Sequence, residues 1–210
     1  MFDRKMQASI ATATVILTLV AAGSPAFSQN SGAQPLNVRG TIVSSTGQEL
    51  TVRTREGKTV PIALEKGWMV SGVARVGLAD IKPGDYVGIA SLPTKDGGDG
   101  ALEVLVFPPA LKGAGEGSFG WDLKPNSTMT NATVADAVKG VDGQTVTVSF
   151  HGKEKKIAVP DGTPVVTLAP ATEADLKPGA AVFVSAEKNP AGTIAAHQVV
   201  VGTNGVVPPM

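Results

Sequence analysis

The side chains best suited to recognition in this chain sit in a glycine-rich stretch, residues 110–132, which holds Phe119, Trp121, Asp122 and Met129. A flexible tether has no use for large apolar rings, and burying such groups is worth about 1.5–3 kcal/mol each, more for a tryptophan. The segment is therefore expected to be an ordered connector. Its rings either clamp the two flanking regions in a fixed orientation or, with Asp122 and Met129, line an inter-domain groove, where ligand sites tend to form.

Other motifs carry less chemistry. Gly115-x-Gly117-x-x-Gly120 has the spacing of a dinucleotide fingerprint, but that fingerprint needs its last glycine to open a helix whose N-terminus faces a pyrophosphate. Pro125 and the polar residues after it forbid that helix. Asp96 to Glu103 resembles a calcium loop only in its two aspartates, and reads as a hairpin turn. His151 falls in an expected turn. His197 shares strand parity with Val199 and Val201 and is expected to be partly buried near a barrel mouth. Met69, Met129 and Met210 are too scattered in sequence for a soft-metal site. Asn126-Ser-Thr128 and Asn131-Ala-Thr133 fit the glycosylation acceptor pattern but read as cap and turn residues. With no cysteine in the chain, thiol catalysis and cysteine metal sites are excluded. No catalytic residue, metal ligand or cofactor is assigned, and the chain is read as not an enzyme.

The first 28 residues read as a signal peptide. Arg4 and Lys5 form a positive start, Ala8 to Gly23 an apolar run, and Ala26-Phe-Ser28 a small-residue cleavage motif before Gln29. The apolar run falls short of the about 20 residues of a spanning helix, so the expected product is periplasmic, with no membrane span in the mature protein. The full chain carries 18 basic and 18 acidic side chains, and Asp3, Arg4 and Lys5 leave with the leader, giving 16 against 17. A nucleic-acid binder would need clustered Lys and Arg with stacking aromatics. Neither is present, so no nucleic-acid partner is expected.

The elements that must position the connector show an internal repeat. Val38 to Val52 aligns with Val134 to Val148 at an offset of 96, and Ala79-Asp-Ile-Lys-Pro-Gly-Asp-Tyr-Val87 with Ala174-Asp-Leu-Lys-Pro-Gly-Ala-Ala-Val182 at 95. Within each copy, apolar residues alternate with polar ones at a period of two, the mark of half-buried strands. Lys82-Pro-Gly84 and Lys177-Pro-Gly179 read as type II turns. About one helical turn is expected near 78–81 and again near 173–176. The order in each copy is three strands, an irregular link with a helical turn, then two strands. That is the order of an OB-like barrel, a small split barrel of another topology being the alternative. The fold expected is all-β, with two tandem small OB-like five- or six-stranded barrels. The boundaries are 29–37 for an N-terminal linker, 38–109 and 133–202 for the barrels, and 203–210 for a tail. Val52 and Val104 are expected inside the first barrel, Val148 and Val199 inside the second, with Arg53 and Glu103 facing outward.

The repeated Val-x-Gly strand, the two Asp-[Ile/Leu]-Lys-Pro-Gly turns, the segment from Gly115 to Val134 and the ending Gly205 to Met210 resemble a two-barrel subgroup of an exported bacterial family of small OB-like β-barrel domains of unknown function. The resemblance covers nearly all of the mature chain and implies no activity. Some relatives carry a metal-transport label. The function expected is therefore a non-enzymatic binding or adaptor protein for an envelope protein or small ligand. The alternative is a metal-handling accessory using His197, the aspartates of 96–99 and Met129.

Overall fold

The computed structural model describes residues 32–209, so the leader and its cleavage point lie outside the described residues. Val, Ile and Thr alternating with polar residues suit a pleated, half-buried surface, and the described chain is all-β. Its strands are β1 (Gln34–Ser45), β2 (Glu49–Thr54), β3 (Thr59–Arg75), β4 (Tyr86–Pro93), β5 (Asp99–Val106), β6 (Gly117–Trp121), β7 (Ser127–Lys139), β8 (Gly143–Phe150), β9 (Lys153–Pro160), β10 (Val165–Pro170), β11 (Ala181–Lys188) and β12 (Ile194–Gly202). Helix among the described residues is limited to single 3-10 turns at Leu78–Asp80, Pro109–Leu111 and Glu173–Asp175. The first and last fall where the sequence placed them. There Asp80 accepts the amide of Gly77 at 3.1 Å and Asp175 that of Thr172 at 2.8 Å. The two Lys-Pro-Gly turns that follow put Gly84 and Gly179 at φ of 94° and 87°, a region open to glycine at no steric cost.

β1 pairs with β2, β2 with β3, β3 in parallel with β12, β12 with β11, and β11 with β1 again. This closes a five-stranded barrel around Val38, Leu50, Val52, Ile62, Val184 and Val199. The strands β4, β5, β9, β8 and β7 are joined in a second ring of pairings. Its closure is a short parallel contact, with Asp99 opposite Ile157 and Gly100 opposite Ala158, and it surrounds Ile89, Val104, Val134, Val148 and Ile157.

These pairings correct the expectation that 38–109 and 133–202 each close on themselves. The three leading strands of each half close on the last two strands of the other. Val52, Val104, Val148 and Val199 are all fully buried, but Val52 shares its core with Val199, and Val104 with Val148. Alternation reports which face of a strand is buried, and both halves offer the same faces, so it cannot report which half supplies the partner. The parity reading also fails at Glu103, which is buried rather than outward-facing.

The two halves pair alike in detail. Val199 lies opposite Val70 and Val104 opposite Val165, positions 95 apart in sequence. β3 and β10 pair antiparallel about Val73 opposite Leu168, again 95 apart. The leading strands need a different alignment from the one read in sequence. Ile42 lies opposite Val52, ten residues on, and Val134 opposite Val148, fourteen on. Ile42, not Val38, is thus the counterpart of Val134, because the second hairpin is four residues longer. The slip is even, so every side chain keeps its face. Residues 69–71 lie within the long β3, and 165–168 lie within β10.

A third apolar cluster, Val73, Leu105, Val166, Phe183, Val200 and Val206, draws on both rings, with Phe107, Trp121 and Leu168 packed against it. The stretch 110–132 is more than a connector: β6 and the first six residues of β7 lie within it. It is pinned along its length, with Tyr86 Oη donating to the Ala114 carbonyl and Asn131 Nδ2 to that of Gly115, both at 3.1 Å.

Candidate ligand cleft between the two rings

Antiparallel pairing of β6 with β7 places Phe119 opposite Met129. In β4, Gly88 lies opposite Asn131. A Cβ at Gly88 would sit 2.8 Å from Asn131 Oδ1 and 3.2 Å from the Phe107 ring, so only glycine there lets these two side chains pack onto the strand. The result is a cleft of about 210 Å³ where Phe119, Trp121 and Met129 meet Phe107 and Phe183. Asn131, Ser185 and Gln198 supply uncharged polar groups to its lining. Trp121 packs edge-on to Phe119 at 6.2 Å between centroids and tilted against Phe183 at 6.4 Å. Trp121 Nε1 is buried with no hydrogen-bond partner among the described residues. An acceptor brought to it would relieve a cost of about 1–3 kcal/mol.

Behind this aromatic wall lies a buried cation. The Arg39 guanidinium sits 5.4 Å from the centroid of Trp121 and 5.1 Å from that of Phe183, within cation–π range. Arg39 Nη2 donates to Asp122 Oδ1 at 2.7 Å, and Asn37 Nδ2 donates to the same oxygen at 3.1 Å. Partial burial pushes the Asp122 carboxyl up, but the hydrogen bonds from Arg39 and Asn37 and the charge of Arg39 outweigh it and hold the carboxyl below its ordinary value. Of the four residues singled out in sequence, Phe119, Trp121 and Met129 line one cleft. Asp122 does not: it borders a second cleft, of about 250 Å³, at the mouth of the first barrel.

Phe183, Arg39, Gly88 and Phe107 were not found by sequence reasoning. Arg39 meets Phe183 only because β1 pairs with β11 from the other half. The remaining candidates fall elsewhere. His197 is exposed, with Nε2 2.6 Å from Glu65 Oε2, rather than partly buried. His151 sits in a turn at φ 46°, its amide donating to Glu116 Oε1 at 2.9 Å. Asp99 faces Lys155 at 3.4 Å. His197, Asp99 and Met129 thus occupy three different settings. Among the described residues no group of three or more His, Cys, Asp or Glu side chains is placed to hold a metal ion, and no helix is long and apolar enough to cross a membrane. The last two glycines of Gly115-x-Gly117-x-x-Gly120 lie in strand β6, where no helix opens. Of the two acceptor-pattern asparagines, Asn126 occupies a turn at φ 64° and Asn131 lies within β7.

What the cleft can do follows from its lining. Aromatic and thioether walls with a few polar groups, the Glu103 carboxyl among them, suit a largely apolar group that carries a hydrogen-bonding edge. Comparison with protein-family models, with curated proteins and with solved structures finds no match for the chain.

Proposed function

We propose that this protein is exported to the bacterial periplasm after cleavage before Gln29, and acts there as a soluble, non-enzymatic binding or adaptor protein. Its two OB-like units descend from an internal repeat and have exchanged their last two strands. The site of recognition is the cleft that this exchange creates. The observation that carries the reading is the meeting of Phe119, Trp121 and Met129 with Phe107 and Phe183 around an open volume. Five large apolar side chains converge there without filling the volume between them, and Asn131, Ser185 and Gln198 border it with polar groups.

Photo-crosslinking in living cells tests this, with benzoylphenylalanine at position 119 and, as a control, at the exposed Lys58. A discrete crosslinked product specific to position 119, and lost in Trp121→Ala, is expected. Identical products from both positions would count against the cleft. Mass spectrometry of the periplasmic protein is expected to find Gln29 at its N-terminus, and retention of Met1 to Ser28 would overturn the export reading.

A further inference from the structure

The two rings differ at one place where their pairings are the same. In the second ring β7 pairs with β4 on one side over residues 128–133 and with β6 on the other over 127–131. In the first barrel the corresponding stretch of β1, Pro35 to Arg39, pairs with β11. On its other side the pairing with β2 stops at Gly40, with one further bond from the Arg55 amide to the Arg39 carbonyl at 3.1 Å. Ile42 donates to the Ala180 carbonyl and accepts from the Gly179 amide. Main-chain groups alternate in direction along a strand, so those of Pro35 and Asn37 point away from β11. Among the described residues no strand lies there.

The mouths beneath these two edges have opposite chemistry. Leu36 lies opposite Ala186 as Thr128 lies opposite Ser91. Val60 lies opposite Val52 as Lys155 opposite Val148, and Ile194 opposite Lys188 as Asp99 opposite Pro93. The covered mouth is a polar network: Lys155 reaches Asp99 at 3.4 Å and Thr128 at 3.3 Å, and Ser91 contacts Thr128 at 3.2 Å. β6 lies over it with Ser118 bonded to Thr130 at 3.0 Å. The uncovered mouth is apolar, and Leu36, Val60 and Ile194 line the cleft of about 250 Å³ beside Asp122 and Leu123. Leu36, Val60 and Ile194 are only partly buried against the first core, and incompletely covered apolar groups next to an unpaired strand edge are a combination that natural sheets avoid unless something binds there.

We propose that the β1 edge takes an extended peptide from another protein as an added strand, antiparallel to Pro35–Val38, where β6 adds to β7 in the second ring. This is recognition by β-augmentation: main-chain bonds at the edge hold the peptide, and alternate side chains enter a pocket. The side chain that enters is aliphatic and uncharged, because Leu36, Val60 and Ile194 form the pocket and the nearby charges are locally balanced. Asp122 already holds Arg39, and Glu56 stands beside Arg55 and Lys58. β6 shows that the chain geometry accepts a strand in this position, and its exit at Asp122 forms one wall of the cleft. The occupant is foreign in the exported form: the five residues from Gln29 to the one before β1 are too few to turn back and cover this edge. That last step rests on the export reading; the rest does not, nor does it require the inter-ring cleft to bind anything.

The test uses isotope-labelled protein purified from the periplasm, its N-terminus determined by mass. It is titrated to millimolar concentration with a capped Thr-Val-Thr-Val-Thr-Val-Thr peptide. Binding is expected to slow amide exchange at Asn37 and shift the methyl resonances of Leu36, Val60 and Ile194, leaving Phe119 and Trp121 unmoved. The same peptide N-methylated on its edge-facing amides is expected to bind at least about tenfold more weakly. So is the wild-type peptide to the triple variant Leu36→Thr, Val60→Lys, Ile194→Asp, which gives this mouth the residues of the covered one. Equal binding of the N-methylated peptide, shifts at Phe119 and Trp121 alone, no protection at Asn37, or concentration-dependent dimerisation through this edge would each overturn the proposal. A Met1 N-terminus would remove only the argument against self-occupancy, and the failure of export would then be visible separately.

Discussion

Exchange of strands between the halves makes a thermodynamic claim that separates it from two self-contained barrels. Val38 on β1 and Val184 on β11 lie directly opposite each other, are 4% and 0% exposed, and belong to one core, though 146 positions apart. Val148, much closer to Val184 in sequence, is equally buried but belongs to the other core. Truncating a buried valine to alanine removes two methyl groups at about 0.8 kcal/mol each and leaves part of a cavity, so each single variant should lose about 2–3 kcal/mol. For a domain of this size that is a fall in Tm of about 4–10 °C. In a double-mutant cycle, Val38→Ala with Val184→Ala should show a coupling of at least about 0.5 kcal/mol, because the two truncations enlarge one shared cavity. Val148→Ala with Val184→Ala should be additive within about 0.3–0.5 kcal/mol. Denaturant unfolding measures both cycles, and amide exchange read by mass spectrometry adds a map. In Val38→Ala, protection should fall in β11 and β12 before it falls in β4 and β5. Coupling between Val184 and Val148 with none between Val184 and Val38 would refute the exchange.

Further outcomes follow from the same contacts. Glu103→Ala should cost at least about 1–3 kcal/mol because it empties a buried polar position, whereas the exposed Arg53→Ala should stay within about 0.5 kcal/mol; equal effects in a denaturant titration would restore the outward-facing reading of Glu103. The carboxyl of Asp122 has a folded pKa below its ordinary value of 3.8, so its contribution is complete above that value and is lost as pH falls through the lower folded one. Trp121 fluorescence in a Trp68→Phe background should therefore change only below about pH 4, and an unaltered acid transition in Asp122→Asn would assign it to another group. Trp121→Ala removes a ring that joins β6 to Phe183 and Arg39 of the first barrel, and should increase the radius of gyration in solution scattering as the rings loosen. An unchanged profile would mean that the third cluster holds the rings together without Trp121.

Much of the local structure is legible in the chain, and the reason is physical. A period of two fixes the buried face at Val52, Val104, Val148 and Val199. The Asp-x-Lys-Pro-Gly segments name both the 3-10 turns and the positive φ at Gly84 and Gly179. Partner choice between two similar halves is not legible. Both offer strands of the same parity, and the exchanged and unexchanged arrangements bury the same side chains. The connectors differ between them: β3 runs on past Ile62 and Leu64 to Arg75, where β10 pairs with it about Val73, and the chain then enters the other ring as β4.

The candidate site was legible to the same depth. Two large rings in a glycine-rich stretch mark a segment that packs on something, which holds for Trp121 against Phe183, whereas Phe119 stays 42% exposed at the rim; a strand beside them carries Met129 into the same cleft. Asp122 follows Trp121 in the chain, yet β6 ends at Trp121 and Asp122 is held by Asn37 and Arg39 of β1, so adjacency in sequence did not mean a shared cleft. Glu103 failed for a related reason. The outward face of a barrel strand is normally wet, and the alternation that marks Glu103 as outward is correct as far as its own ring is concerned. What the alternation omits is the neighbouring ring and the C-terminal segment. Glu103 borders both the cleft with Trp121 and the space lined by Val206 and Pro209. In a molecule of two packed rings, the outer face of one is partly the interior of the whole, and the residues there are the ones a single-barrel reading must miss.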